Sequence, residues 1–454
     1  MADLEDIVSL CKRRGFIFPG SDVYGGFAGT WDFGPLGVML KRNLMNLWWN
    51  FWVEKRDDIF GIDAAILMNP KTWVASGHTA TFADPLVECR ECHGRFRADK
   101  LADGLNESVT TEGFLKLKIK CPTCGKENWG PIRKFNMMFE THVGAVLPDD
   151  LTSESSKELV ERSTAYLRPE TAQGIFTNYK NVVDAFYPDL PFGLAQQGKA
   201  FRNEISPRDF ILRDRECSQM EIEYFVNPKT WESEFEKILD EYRTFLTKKL
   251  GLKKSDLTEV EVPAADRAHY SKRTVDIMYK YPNGEEELMG IAYRTDFDLK
   301  NIERESGKSM EYRDKTSGEV FVPHVIEPSI GVERVFLAIL ANAYSEEKVE
   351  GKNETRTVLK LPELLAPYKF CVSPLLKNKP ELVKKAREVY EFLKEKYTFV
   401  TWDDSGNIGK RYRKQDEIGT PKCVVIDFDT LDDGTVTVRD RDSAAQIRIK
   451  PEEL

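Results

Sequence analysis

Residues 198–226 read GKAFRNEISPRDFILRDRECSQMEIEYFV, two stretches of alternating character on either side of a basic loop. Side chains alternate across a strand. A strand over 198–205 therefore puts Arg202 and Glu204 on one face and Phe201, Asn203 and Ile205 on the other. In the returning strand, 215–226, Met220, Ile222, Tyr224 and Val226 form an apolar set, and Gln219, Glu221 and Glu223 a polar one. A long hairpin with one buried and one open face is expected. Arg208, Arg213 and Arg215 lie in or beside the loop 207–214. Guanidinium groups take phosphate oxygens and a carboxylate can accept the adenine amine, so the open face has the parts of an adenine-nucleotide site. An exposed charged hairpin held by cross-strand ion pairs would show the same pattern.

Upstream, a Gly-rich stretch ending at Gly34, Pro35 and Gly37 leads into a helix over 36–52, where Leu40, Leu44, Leu47, Trp48 and Phe51 recur at three- and four-residue steps. A strand is expected at 63–68, stopping at Pro70, and the polar segment 152–161 reads as a mobile link. Downstream come an amphipathic helix (231–250), strands at 293–298 and 321–327, and a helix at 332–344. Composition shifts after 353, and the proline-bearing stretch 361–367 suits a linker. Beyond it, strands at 370–373, 399–403 and 423–427 alternate with helices at 381–396 and 409–418, the order of a small α/β unit.

A chain of 454 residues, 41% hydrophobic, is expected to form more than one domain. Lys41, Arg42, Asn43, Asn46 and Asn50 interrupt the longest apolar run, so no bilayer crossing is expected, and the first ten residues lack the basic-then-apolar order of a leader. A cytoplasmic address follows. A net charge of −9 excludes binding to nucleic acid through overall basicity. Eight cysteines are too few for a disulfide framework, and four form two knuckles, Cys89/Cys92 and Cys121/Cys124, each followed closely by a glycine, Gly94 or Gly125. Four thiolates in that spacing predict a structural Zn²⁺ site in a module over 86–130, with His93 as a substitute ligand and a redox pair or four unligated thiols as the competing readings.

FRNE, the basic loop and QMEIEYF together resemble the second signature of class II aminoacyl-tRNA synthetases. Gly331 to Arg334 resemble the third, and the helix and strand ending at Pro70 the first, which in that class builds a homodimer interface. LRPETAQG (167–174), GIAYRTDFD (290–298) and VIEPSIG (325–331) narrow the resemblance to glycyl-tRNA synthetases of the dimeric, single-chain type, over nearly the whole length.

The resemblance implies an α+β catalytic domain over 1–360, with a mixed, mainly antiparallel sheet flanked by helices and the zinc-ribbon-like insertion. It also implies an α/β anticodon-binding domain over 366–454. Arg202 and Arg334 would be catalytic. ATP would meet Arg202, Asn203, Glu204, Leu212, Arg213, Asp214, Arg215, Glu216, Cys217, Glu287, Leu288, Gly331, Val332, Glu333 and Arg334, with Mg²⁺ at Glu287. Glycine would meet Arg97, Glu170, Cys217, Ser218, Gln219, Met220, Glu221, Arg294, Glu327, Pro328, Ser329, Ile330 and Gly331. The further partners implied are tRNA(Gly) and a second copy of the chain, with no membrane. A site for the smallest amino acid rejects larger ones by overlap, so no editing domain is required.

Two details stay open on the residues alone. Arg334 in the first turn of a helix is unfavourable by roughly 0.3–1 kcal/mol, which either a phosphate or an ion pair with Glu333 would offset. Residues 366–454 carry 17 Lys and Arg against 16 Asp and Glu. There Lys410, Arg411, Tyr412, Arg413 and Lys414 form either an RNA-contact patch or a solvated helix face. DDSGNIGKRYRKQDEIGTP and TVTVRDRDS resemble the anticodon-binding domain of glycyl enzymes, which favours the patch. Competing functions are a threonyl, prolyl or histidyl enzyme of the same class, or a non-catalytic nucleic-acid-binding accessory protein with a synthetase fold.

Overall fold

The computed structural model describes residues 3–102, 110–144, 159–160, 162–348 and 354–454; most of the polar segment 152–161 lies outside them. Seven strands make the main sheet: β1 (Ile59–Gly61), β2 (Phe192–Phe201), β3 (Glu216–Val226), β4 (Leu257–Glu261), β5 (Arg273–Tyr281), β6 (Gly284–Thr295) and β7 (His324–Gly331), in the spatial order β4-β5-β6-β7-β3-β2-β1. Only the β1–β2 pair is parallel; the other neighbours are antiparallel.

One face of this sheet is apolar, because Met220, Ile222, Tyr224 and Val226 of β3 share it with Ile277, Ile291, Ile326 and Ile330. Leu40, Leu44 and Trp48 of helix Pro35–Trp49 and the inner side of helices Trp231–Thr244 and Val332–Ala343 close over it. Each fully buried Leu or Ile side chain there contributes about 1.5–3 kcal/mol. The opposite face is split. At one end Phe192, Leu194, Phe225 and Val325 pack under Ile175, Phe176, Tyr179 and Val183 of helix Ala172–Phe186. At the other end the same face carries Gln196, Gln219, Glu221, Glu327 and Ser329, and there the candidate site forms.

Several expectations need correction. Residues 63–68 form no ladder beyond an isolated bridge from Leu67 to Leu167. Side chains take the backbone oxygen instead, Arg168 Nη1 donating to Ala64 O at 2.8 Å and Gln196 Nε2 at 3.2 Å. β2 stops at Phe201; Arg202 N still donates to Arg215 O in the register of the ladder, but Glu204 N then donates back to Arg202 O, so a tight turn, and not strand alternation, sets Glu204. The polar set of β3 is not open: Glu221 and Glu223 are 2% and 0% exposed. β6 ends where Thr295 adopts φ 58°, which sends Asp298 into helix Phe297–Ser306. Helices Pro35–Trp49 and Trp231–Thr244 each run on into a π turn, Asn50–Glu54 and Phe245–Lys249.

The cysteine module pairs Ala83–Glu88 with Arg95–Arg97 and Arg133–Asn136, and Val87, Ala98, Phe114 and Trp129 form its core. A hairpin, Tyr344–Lys348 with Thr355–Leu359, precedes the expected linker 361–367. In the C-terminal unit, Phe370–Pro374 lies parallel between Val400–Trp402 and Lys422–Ile426. Two antiparallel strands follow, Val436–Asp440 and Gln446–Ile449, which the sequence did not announce. Arg14 with Glu417, Arg356 with Asp416 (3.0 Å), and Asn43 Nδ2 with Ala366 O (3.0 Å) tie this unit to the rest.

Candidate active site

Arg202 leaves the sheet at the end of β2, and its Nε donates to Pro169 O at 3.1 Å. This contact seats the guanidinium beside Glu170. Glu170 receives Gln173 Nε2 at 3.4 Å and lies 3.4 Å from His78 Nε2. Burial acts to raise the Glu170 pKa, but His78, Arg294 and Arg202 outweigh it and hold the carboxyl well below the usual range. The backbone N–H of Thr171 donates to Gln219 Oε1 at 3.1 Å, and its hydroxyl donates to Glu221. Burial, followed by the nearby Glu170 charge, raises the Glu221 carboxyl.

Arg294 is the buried cation of this cluster. Its Nε and Nη2 donate to Asp298 at 2.7 and 2.8 Å, its Nη1 to Glu327, and its guanidinium lies 3.7 Å from the ring of Tyr270. Asp298 also accepts from Gln173 at 2.9 Å, so Glu170, Gln173, Asp298, Arg294 and Glu327 form one connected network. Ser329 lies opposite Glu221 in register, and its hydroxyl acts to lower the Glu221 carboxyl.

Glu204 sits where Arg213 and Arg97 bear on it, and burial raises its carboxyl. Asn203 N donates to Met137 O at 2.8 Å, and Arg215 Nη2 to Glu204 O at 3.2 Å. Arg97 reaches Asp84 at 3.0 Å and Asp99 at 2.6 Å, on a strand tied to the basic loop by Ser206 Oγ donating to Arg95 O at 2.8 Å. Arg334 pairs with Glu287 at 3.1 Å, not with Glu333. Glu333 is instead buried with Lys41 at 2.7 Å and accepts from Ser218 N at 2.7 Å. Lys41 Nζ also donates to Ser218 Oγ at 2.8 Å.

Not every expected residue presents its side chain here. Met220, Leu288, Ile330 and Val332 turn into the apolar core, leaving only their backbone for a ligand. Pro328 and Asp214 are buried, and burial with the nearby Glu333 pushes the Asp214 carboxyl up to about 8. Cys217 sits 3.7 Å from Ala200 O, Glu216 pairs with Lys199 at 2.9 Å, and Leu212 packs against the core. Gly331 is the N-cap of helix Val332–Ala343. His78, Thr171, Gln173, Asp298, Tyr270 and Lys41 take part without having been singled out from the sequence. Of these, Thr171, Gln173 and Asp298 lie inside the very strings that carried the resemblance.

In the cysteine module, Sγ of Cys89 and Cys124, and of Cys92 and Cys121, are 3.6 Å apart, and all four lie within 4.8 Å of one another. A tetrahedron of Zn–S bonds of about 2.3 Å has S···S edges of about 3.8 Å, so this donor set fits zinc. His93 stands outside it, 3.5 Å from Glu88. The left-handed residue after each pair is His93 (φ 58°) and Gly125 (φ 71°), correcting the role expected of Gly94. A Cβ on Gly94 would instead come 2.9 Å from the Phe96 ring.

The basic helix of the C-terminal unit does not form a single patch. Arg411 is buried and donates to the carbonyls of Pro374, Asp404 and Gly406. Lys414 pairs with Asp403 at 3.2 Å, Arg413 with Glu354, and Tyr412 lies under Arg439.

Residues 157–343 match the family described as tRNA synthetase class II core domain (G, H, P, S and T), and residues 369–454 match that described as anticodon binding domain. The fold is also similar to a Giardia lamblia prolyl-tRNA synthetase solved in complex with prolyl-adenylate. There the TM-score is 0.67 at 16% identity, covering 99% of this chain and 74% of that one. The mixed sheet and its two arginine-bearing signatures thus make the core that of a class II aminoacyl-tRNA synthetase. The chain is 49% identical to the glycine–tRNA ligase of Malacoplasma penetrans, covering 100% of this chain and 96% of that protein. It is also 49% identical to that of Clostridium acetobutylicum, covering 99% and 97%. It belongs to the glycine–tRNA ligase family.

Proposed function

We propose that the chain joins glycine to ATP as glycyl-adenylate and then passes the glycyl group to the 3′ end of tRNA(Gly). The observation that carries this reading is the seating of Arg202 on the carbonyl of Pro169, immediately before Glu170. A cation suited to an α-phosphate and an anion suited to an ammonium thereby adjoin. An amino acid held by its ammonium at Glu170 has its carboxylate directed toward a phosphate held by Arg202.

The first step forms a bond from a glycine carboxylate oxygen to the α-phosphorus and releases pyrophosphate. In the second, a terminal ribose hydroxyl of the tRNA attacks the glycyl carbonyl and AMP leaves. Neither step needs an enzyme nucleophile, so the residues supply position and charge. Arg202 and Arg334 offset the charge developing on the phosphates, Glu204 accepts the adenine amine, and Arg213 and Arg215 stand over the nucleotide. Mg²⁺ held at Glu287 would neutralise phosphate charge. Glu170, Glu221, Glu327, Ser329 and Arg294 line a pocket for an amino acid without a side chain, so alanine is rejected by overlap.

The four thiolates suit a structural Zn²⁺ that fixes the module carrying Arg97. We assign residues 1–360 to the catalytic unit, 86–130 to the zinc-binding insertion and 366–454 to anticodon binding, with helix Pro35–Trp49 at a homodimer interface. No helix among the described residues is long and apolar enough to cross a membrane. ATP–pyrophosphate exchange with each amino acid in turn tests the assignment. Exchange with glycine alone is expected; exchange with alanine at a comparable rate, or with no amino acid, would contradict it.

A further inference from the structure

Four buried carboxyl groups surround Arg294, and one of them is left over. Asp298 takes its Nε and Nη2, and Glu327 its Nη1. Glu221 accepts from the Thr171 hydroxyl and lies opposite Ser329 in register. Glu223 is 0% exposed, and neither of its carboxyl oxygens has a hydrogen-bond partner. The register of β3 on β7 pairs Glu221 with Ser329 and Tyr224 with Ile326, which sets Glu223 directly opposite Glu327. Carboxyl oxygens of Glu221, Glu223 and Glu327 lie within 4.8 Å of one another. On its other side Glu223 faces Leu194 of β2, at the edge of the apolar floor.

We propose that Glu223 is a positioning residue of the amino-acid pocket: its carboxyl group keeps a proton and donates it in a hydrogen bond to Glu327, so the two opposed carboxyls share one negative charge. This rests on the reading of the pocket as the glycine site. The charged groups that bear on Glu223 are Glu327, Glu221, Asp298 and Arg294; three of the five N–H groups of Arg294 are committed to Asp298 and Glu327, and none bonds to Glu223. An ionised Glu223 would be a buried charge with no hydrogen bond to a counter-ion, directly opposite a like charge, an arrangement that proteins relieve by protonation. Burial and the Glu327 charge accordingly hold the Glu223 carboxyl well above the usual range. The pair shares this proton, and it resides on Glu223 because only Glu327 is hydrogen-bonded to the guanidinium that stabilises its anion. A metal ion is the poorer occupant, since a hard cation takes six or more oxygens and two of these three carboxyls are already engaged. Donation from Glu223 holds the Glu327 carboxylate between Arg294 and the place of the substrate ammonium. Glu223 thus acts through Glu327, without touching glycine.

The test uses the full chain and two substitutions. Glu223→Gln keeps the shape and a donor while removing the titrating group, so the glycine KM should stay within about threefold of wild type at neutral pH. Glu223→Ala removes the donor, and the glycine KM should rise by about tenfold or more with kcat changed much less. Infrared difference spectra of ligand-free wild type minus Glu223→Gln at neutral pH should contain the carbonyl stretch of a protonated carboxyl group. As pH rises, the glycine KM should climb more steeply for wild type than for Glu223→Gln, because only wild type loses the donor. The proposal is overturned by the absence of that band, by a KM in Glu223→Gln as high as in Glu223→Ala, by parallel pH profiles, or by a monovalent-cation requirement that Glu223→Gln abolishes. The infrared band is read without substrate, so its presence in a protein that fails to activate glycine would sink the pocket reading and leave the shared proton standing.

Discussion

Replacing Asp298 by alanine removes the carboxylate that accepts two of the N–H groups of Arg294, at 2.7 and 2.8 Å. Arg294 is 1% exposed, so water cannot take over those bonds. The guanidinium keeps Glu327 and the ring faces of Tyr270 and Phe176, and Gln173 loses its 2.9 Å acceptor as well. Breaking one side of a buried ion pair costs about 3–5 kcal/mol, because the remaining charge stays desolvated. Asp298→Asn leaves one acceptor oxygen in place and should lose less, about 1.5–3 kcal/mol. Equilibrium denaturation of the full chain, followed by circular dichroism and tryptophan fluorescence, would measure both. The transition of the catalytic unit should shift in the order wild type, Asn, Ala. Glycine KM should rise in parallel, as Arg294 and with it Glu327 lose their fixed position. A loss below about 1 kcal/mol in Asp298→Ala, the range of exposed ion pairs, would refute the view that this network is a desolvated unit that orients the pocket.

Arg334→Ala should leave stability nearly unchanged, since its partner Glu287 is 45% exposed, while slowing glycine-dependent exchange by about 10²-fold or more; a parallel loss of stability would argue for a structural role. The Asp214 carboxyl, pushed up to about 8, is favoured in its protonated form by folding, so it weakens the fold progressively as pH rises from about 4 toward 8. Asp214→Asn should therefore raise Tm more at pH 8 than at pH 5, and equal shifts would contradict that sign. Cys121→Ser should lower the zinc content of the purified chain from about one ion to well below one, and a wild-type chain without zinc would remove the site.

What could be read from the sequence was local and periodic. Leu40, Leu44 and Trp48 are fully buried at the spacing their periodicity announced, and the cysteine knuckles meet as four thiols. The strand-helix order of residues 370–427 is also as expected. What could not be read depends on partners far apart in the chain. Gln173 and Asp298 are separated by 125 positions and Lys41 and Glu333 by 292, and no pattern in one dimension couples them. Alternation failed beyond Arg202 because Glu204 N bonds back to Arg202 O, a tight turn that takes the chain out of the ladder. Counting charges on one helix failed at Arg411, because a helix turns each successive side chain by about 100° and this one points inward to loop carbonyls.

The role of Arg202 beside Glu170 is tested most directly by glycine-dependent ATP–pyrophosphate exchange in Arg202→Ala, with Tm recorded on the same sample. Exchange should fall by about 10²-fold or more at a Tm close to wild type. Exchange within a few-fold of wild type would contradict it.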